Sequence, residues 1–371
     1  MKQKYFLALA LVALMPMAAV AQLSVGPEFG SLATGPGTIV FTNNATEGDV
    51  VVLDVENDSG VILTGAALNS TGAIGHITES QWLFGMTSAA ETGAGDLYIF
   101  DSEATTLSSA IANINDVRDF AVLDQGGQFD AIVADRQNDT VQLLTDILGS
   151  PATTDITPSS IAGNVGIQGL VALSDELYFL YDELPEDGFG SDELIVVEGT
   201  STDAATTRIS WNEIGSAGAD LNTDELSVDF HNGLAVHQPD DATIVMYLSN
   251  FGTFSESQVI EVTWTDTGDG FDFSSPTTSV LITEPNLFNA IADNNGSAED
   301  PVGLINSRGV SLLPGETAAD DRLVIWADDS EDQDTYMVIY DIADESFSLF
   351  GGDALESVLE GTKVSDWKLS R

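Results

Sequence analysis

Arg118 and Arg308 are the residues whose chemistry stands out in this chain. They open two related segments, Arg118-Asp119-Phe120 and Arg308-Gly309-Val310, in which an acidic or small residue is followed by an apolar one. The guanidinium is a planar fork of donors that fits carboxylate, phosphate or sulfate. Such groups are scarce: 10 Lys and Arg face 60 Asp and Glu, a formal charge of −50, and none of the ten lies between residues 22 and 117. Segments of the same kind put Gln168 before Gly169-Leu170, Asn232 before Gly233-Leu234, Thr71 before Gly72-Ala73 and Ser365 before Asp366-Trp367. Two cations among neutral hydrogen-bonding neighbours suit an anionic or polyhydroxylated ligand, such as a sugar acid. The competing reading pairs each arginine with a nearby acid as structural glue.

Other constellations are thin. The three histidines are His76, His231 and His237, and no HxH, HExxH or two-His-plus-carboxylate spacing occurs. His231, next to Asn232, is a candidate base. Asp119 and Asp366 are the candidates for a Ca²⁺ site, but the six first positions hold two arginines and no acid, which disfavours a central cation. No cofactor is expected. Acidic stretches such as Asp266 to Asp272 lack the register that gathers oxygens around one ion and fit solvated hairpin tips. Neither a GxSxG elbow nor a phosphate-cradling GxxxxGK[ST] loop is present.

Composition narrows the setting. A polyanion repels phosphate backbones and anionic lipid headgroups, so nucleic-acid and membrane-surface binding are disfavoured. The absence of cysteine rules out disulfides and thiolate chemistry. The chain is 43% hydrophobic, enough to build a core. Lys2 and Lys4, the apolar run Phe6 to Leu14 and the small-x-small triplet Ala19-Val20-Ala21 form a secretory signal pattern. The expected organisation is a signal peptide over residues 1–21, cleaved near Ala21, and a single domain over 22–371, monomeric and secreted or periplasmic. An acidic exterior with almost no lysine fits a saline surrounding that screens self-repulsion.

The elements that must position the two arginines read as strands. Paired apolar runs recur, among them Thr38 to Thr42 with Asp49 to Leu53, Ala131 to Asp135 with Thr140 to Leu144, and Leu323 to Ala327 with Tyr336 to Tyr340. Six such pairs recur at a mean spacing of about 58 residues. No stretch of ten or more residues carries a convincing 3.6 period. The expected fold is all-β: a six-bladed β-propeller of four-stranded blades, with the ring closed where the C-terminal strand around Asp366-Trp367 joins the first blade. Seven blades or another all-β fold are the alternatives. The segments opening with Arg118 and its counterparts then become innermost strands, and their first residues ring one mouth of the channel. In a ring of six, Arg118 and Arg308 fall opposite each other.

Ala131-Ile-Val-Ala-Asp-Arg-Gln-Asn-Asp-Thr-Val-Gln-Leu-Leu144 resembles the NHL propeller repeat, and Thr38 to Asp54 is similar to the YVTN repeat of exported bacterial propellers. The resemblance implies the scaffold; its members include protein-binding modules, lyases and hydrolases. The reading is a binding module for a protein, glycan or small anionic ligand at the channel mouth. The alternative is a hydrolase or lyase at the same mouth, with His231 as base and the arginines stabilising negative charge.

Overall fold

The structure is a computed structural model. It describes residues 21–22, 24–28, 38–43, 49–54, 59–64, 71–86, 96–104, 106–108, 111–114, 116–135, 138–163, 166–182, 193–210, 233–250, 258–294, 301, 303–313, 315, 320–329, 335–350 and 364–369. The signal-pattern residues 1–20 lie outside this set.

The strands follow in chain order. A first group comprises β1 (Ala21–Gln22), β2 (Ser24–Glu28), β3 (Thr38–Asn43), β4 (Asp49–Asp54) and β5 (Ser59–Thr64). Next come β6 (Thr71–Thr78), β7 (Gln81–Met86), β8 (Asp96–Asp101), β9 (Thr106–Leu107) and β10 (Ala112–Asn113). Three hairpin-connected quartets follow: β11 (Val117–Asp124), β12 (Phe129–Asp135), β13 (Thr140–Thr145) and β14 (Ala152–Asp155); β15 (Ile167–Ser174), β16 (Leu177–Asp182), β17 (Glu193–Glu198) and β18 (Ala205–Ser210); and β19 (Leu234–Asp240), β20 (Thr243–Asn250), β21 (Gln258–Thr265) and β22 (Thr277–Thr283). Helix α1 (Glu284–Asn294) leads to β23 (Ile305–Leu313), β24 (Arg322–Asp329), β25 (Thr335–Asp341) and β26 (Ser346–Leu349), and β27 (Val364–Leu369) ends the chain.

The pairing is that of a propeller, but the expectation of six four-stranded blades is overturned. Among the described residues five four-stranded blades are present: β11 to β14, β15 to β18, β19 to β22, β23 to β26, and β27-β3-β4-β5, the last carrying β2 on its outer edge. The remaining sheet is built differently. It has three long strands, β6, β7 and β8, and its outer part is made of two-residue pieces, β9, β10 and β1. The physical reason is local: after Asp101 the chain turns at Ser102 to Ala104 and runs back along β8 in two short pieces, Thr106 and Leu107 opposite Asp101 and Phe100, then Ala112 and Asn113 opposite Leu97 and Asp96, so the outer strand is interrupted.

The inner strands meet in the cyclic order β27, β6, β11, β15, β19, β23 and back to β27. The apolar core accordingly lies in the seams between neighbouring sheets. Ala131, Val133 and Phe120 pack with Ala73 and Leu83 in one seam, Ile132 and Ala134 with Leu180 and Ile195 in the next, and Phe179 and Val196 with Met246 and Trp264 in a third. Alternation along each strand sends successive side chains to opposite seams. Within the first seam Phe120 lies against Gly75 and Gly85; a Cβ on either glycine would overlap the Phe120 ring or the Val117 side chain. The β11–β12 hairpin turns through Gly126 and Gly127, at φ 76° and 97°, and Asp124 Oδ1 accepts the Gly127 N–H at 2.7 Å. Those backbone angles favour glycine.

The helix departs from the all-strand expectation. Leu287, Ala290 and Ile291 repeat at i, i+3, i+4 and are buried in the seam between the β19–β22 and β23–β26 blades. With three core positions in eleven residues, the stripe is too narrow to announce itself in sequence. Asn286 Oδ1 accepts from Thr283 N and Oγ1, and Glu284 Oε1 accepts the Ile305 N–H, fixing the helix start.

Candidate functional site at the channel mouth

One backbone feature recurs at the start of the inner strands. In β11 the pairing with β12 skips from Val117 to Asp119, so Arg118 is the extra residue of a bulge. The same irregularity isolates Gln168 in β15, Arg308 in β23 and Ser365 in β27. In β6 the skip runs from Thr71 to Ala73, so Gly72 occupies the bulge and Thr71 stands one position earlier. The sequence alignment of that blade was therefore off by one: the Gly of Thr71-Gly72-Ala73 was matched to Asp119, whereas register matches it to Arg118. A bulge frees one residue from the ladder and re-aims it. Repeated near the start of β6, β11, β15, β23 and β27, it marks one level of the inner strands.

Contacts between inner strands show a common level. Asp119 Oδ2 accepts the Leu170 N–H at 2.7 Å across the seam, and Oδ1 accepts the Phe120 N–H at 2.8 Å. A Cβ on Gly169 would stand 3.3 Å from Leu234 Cδ1 and 3.9 Å from Asp119 Oδ2. Thus Asp119, Gly169 and the start of β19 lie side by side. Asp119 is 2% exposed, and each oxygen serves a backbone donor, so it fastens β11 to β15 beside Arg118. Arg118 itself is half-buried. His231 and Asn232 lie outside the described residues, as do the side chains of Thr71, Gln168, Arg308, Ser365 and Asp366. In the cyclic strand order β11 and β23 are three steps apart in either direction, which places the backbones of Arg118 and Arg308 on opposite sides.

Sequence reasoning missed the acids that hold this end together. Asp182, fully buried at the end of β16, accepts the Gly166 N–H at 2.6 Å, and Asp329, at the end of β24, accepts the Gly303 N–H at 3.1 Å. Each carboxylate holds the chain that enters its own blade's inner strand, ahead of Gln168 and Arg308 respectively. Asp135 ends β12 in the same fashion and accepts from Asn138 N and Nδ2 at 3.3 and 2.8 Å. The signal was visible as an Asp closing the second apolar strand at 135, 182 and 329. The loop at Asp266 to Asp272 uses its carboxylates as turn acceptors: Asp266 Oδ1 takes the Gly268 and Gly270 N–H groups, and the Ser274 hydrogen bonds hold the Asp272 carboxyl below its ordinary range. Among the described residues no group of three or more His, Asp or Glu side chains is arranged to hold a metal ion. His76 packs edge-on against Trp82, with centroids 5.0 Å apart. No described helix is long and apolar enough to cross a membrane.

No family model matches this chain, and no curated protein matches it. Among solved structures, a protein from Lactobacillus plantarum is 13% identical, with 91% of this chain and 100% of that one covered and a TM-score of 0.48. Cobalt-substituted Synechocystis ACO is 10% identical, with 96% of each chain covered and a TM-score of 0.45. An alpha-L-arabinofuranosidase from Clostridium thermocellum is 9% identical, with 76% and 93% covered and a TM-score of 0.37. At TM-scores below 0.5 these likenesses carry no argument, and the propeller assignment rests on the strand pairing above.

Proposed function

We propose that this protein is an exported binding module of the NHL/YVTN-like kind that takes a small anionic or polyhydroxylated ligand at the bulged end of its channel. The observation that supports the reading is the repeated bulge, which assigns Arg118 and Arg308 to one register position on strands three steps apart. Gln168 and Ser365 share that position as neutral hydrogen-bonding types, and Asn232 completes the set from sequence. A propeller mouth with two arginines in an otherwise acidic molecule concentrates the attraction for an anion at one place. Ligand is held by bidentate contacts, and buried Asp119, Asp182 and Asp329 hold the backbone that presents them. The acidic exterior and the leader belong to the same reading: a protein working outside the cytoplasm in a saline medium.

The test is calorimetric titration with glucuronate, galacturonate and glucose 6-phosphate on wild type and on Arg118→Ala and Arg308→Ala. Binding that falls at least tenfold in each variant, with melting temperature little changed, supports the reading. Unchanged binding, or strong destabilisation with no ligand effect, returns both arginines to structural glue. Ligand turnover that disappears in His231→Ala would replace the binding module with an enzyme.

A further inference from the structure

A second cluster of titratable side chains lies away from the mouth, in the seam between the β19–β22 and β23–β26 blades. His237, near the end of β19, brings Nδ1 to 3.3 Å from Asp321 Oδ2, with side chains 15% and 8% exposed. Asp321 belongs to the connection between β23 and β24 and holds it through Oδ1, which accepts the Gly315 N–H at 2.8 Å. The His237 ring stacks on Tyr247, with centroids 5.8 Å apart and planes at 27°. Tyr247 pairs across the strands with Glu261, and both Glu261 and Asp321 act electrostatically on it, as does Tyr340 from β25. Five ionisable groups thus meet between two blades.

We propose that this seam is a proton-sensitive lock, in which protonation of His237 turns its contact with Asp321 into an ion pair that fastens β19 of one blade to the β23–β24 connection of the next. His237 is the one imidazole in the group. Asp321 on the connection and Tyr247 on β20 face it; Glu261 on β21 stands opposite Tyr247, Tyr340 on β25 acts on Tyr247, Asp240 lies three residues further along its own strand, Asp320 and Arg322 adjoin Asp321 in sequence, and Asp341 on β25 stands opposite Arg322. The neighbouring inner strand β15 carries no titratable side chain, and β23 carries only Arg308, at the opposite end. A carboxylate with little access to water is screened weakly, so a cation 3.3 Å away matters more here than at the surface. The ion pair exists only while the ring is protonated, so its contribution is present in mild acid and lost as the pH rises through the titration of His237. Glu261 acts in the same direction. Burial raises its pKa, so the folded state holds that proton more tightly than the unfolded chain, and this contribution also disappears as the pH rises.

The lock does not depend on the mouth reading, and its test uses no ligand. Melting temperatures of wild type, Asp321→Asn and His237→Gln are compared at pH 5.5 and pH 8 in 2 M NaCl, each variant against wild type at the same pH, so that the general easing of charge repulsion by acid cancels. The expected result is a loss for Asp321→Asn that is larger at pH 5.5 than at pH 8 by about 2 °C or more, and a pH dependence in His237→Gln flatter than that of wild type. Equal losses at the two pH values overturn the proposal. If Asp321→Asn does not fold, His237→Gln decides alone: a melting curve against pH that runs parallel to wild type overturns the lock, and a flattened one supports it.

Discussion

The seam between β6–β8 and β11–β14 and the seam between β19–β22 and β23–β26 join neighbouring sheets of one ring by opposite means. The first is closed by shape: the Phe120 ring fills the space that Gly75 and Gly85 leave open. The second combines an apolar body, stiffened by Leu287 and Ile291 of α1, with ionisable groups at Asp321, His237, Tyr247, Glu261 and Tyr340. Shape complementarity of the first kind is insensitive to pH, because none of the described core residues in it titrates. The second trades some of that constancy for a response. A fully buried hydroxyl pair, Ser249 with Ser307, joins the same two blades, so polar linkage is characteristic of this seam.

Gly75→Val and Tyr247→Phe probe that contrast and Asp119→Ala tests the polar fastening of the β11–β15 seam, taken from the largest effect to the smallest. Gly75→Val puts branched carbon into the Phe120 ring and is expected to destabilise by about 3 kcal/mol, seen as a drop in the urea midpoint relative to wild type that is the same at pH 5.5 and pH 8. A loss under about 1 kcal/mol would mean that the glycine seam has slack. Asp119→Ala removes the acceptor for two backbone N–H groups, one of them across a seam. Its cost should be about 2 kcal/mol, with hydrogen exchange accelerated at Leu170 before the remainder of β15. Tyr247→Phe is the mildest, within about 1 kcal/mol at pH 7. Its signature lies in alkali. Burial and the charges of Glu261, Asp321 and Tyr340 push the Tyr247 hydroxyl well above its ordinary value, so the folded state resists losing a proton that the unfolded chain releases near pH 10. Stability is therefore lost as the pH rises above that point. Tyr247→Phe should move alkaline unfolding to higher pH, whereas Gly75→Val should leave the alkaline slope alone.

The strand pairs were largely legible in the sequence. Ala131 to Asp135 and Thr140 to Leu144 became β12 and β13, with Asp135 opposite Thr140, because short β-branched runs bounded by polar turns have few other uses. The outer strands were not. β14 is Ala-Thr-Thr-Asp, exposed throughout, and carries no alternation by which to recognise it; β9 and β10 are two residues long. That is why the sheet beginning at β6 was expected to be an ordinary blade. The bulges were half legible: the residue types at 118, 168, 308 and 365 marked the position, but without a register nothing distinguished Thr71 from Gly72. The seam cluster was hidden entirely. His237, Asp321 and Tyr340 come from three separate stretches of chain, and only the stacking of blades brings them together.

The pairing of β27 with β3 has a consequence in time as well as in space. Residues 364–369 form the inner strand of a blade whose next three strands are made of residues 38–64. On a chain emerging from the N-terminal end, β3 waits with an open edge while some three hundred residues are synthesised, and β6 and β23 lack a common neighbour until residues 364–369 appear. The ring thus has a built-in test of completeness. A chain released before residue 364 keeps most of its hairpins but cannot clasp, and its unpaired strand edge is what aggregation and proteolytic surveillance recognise.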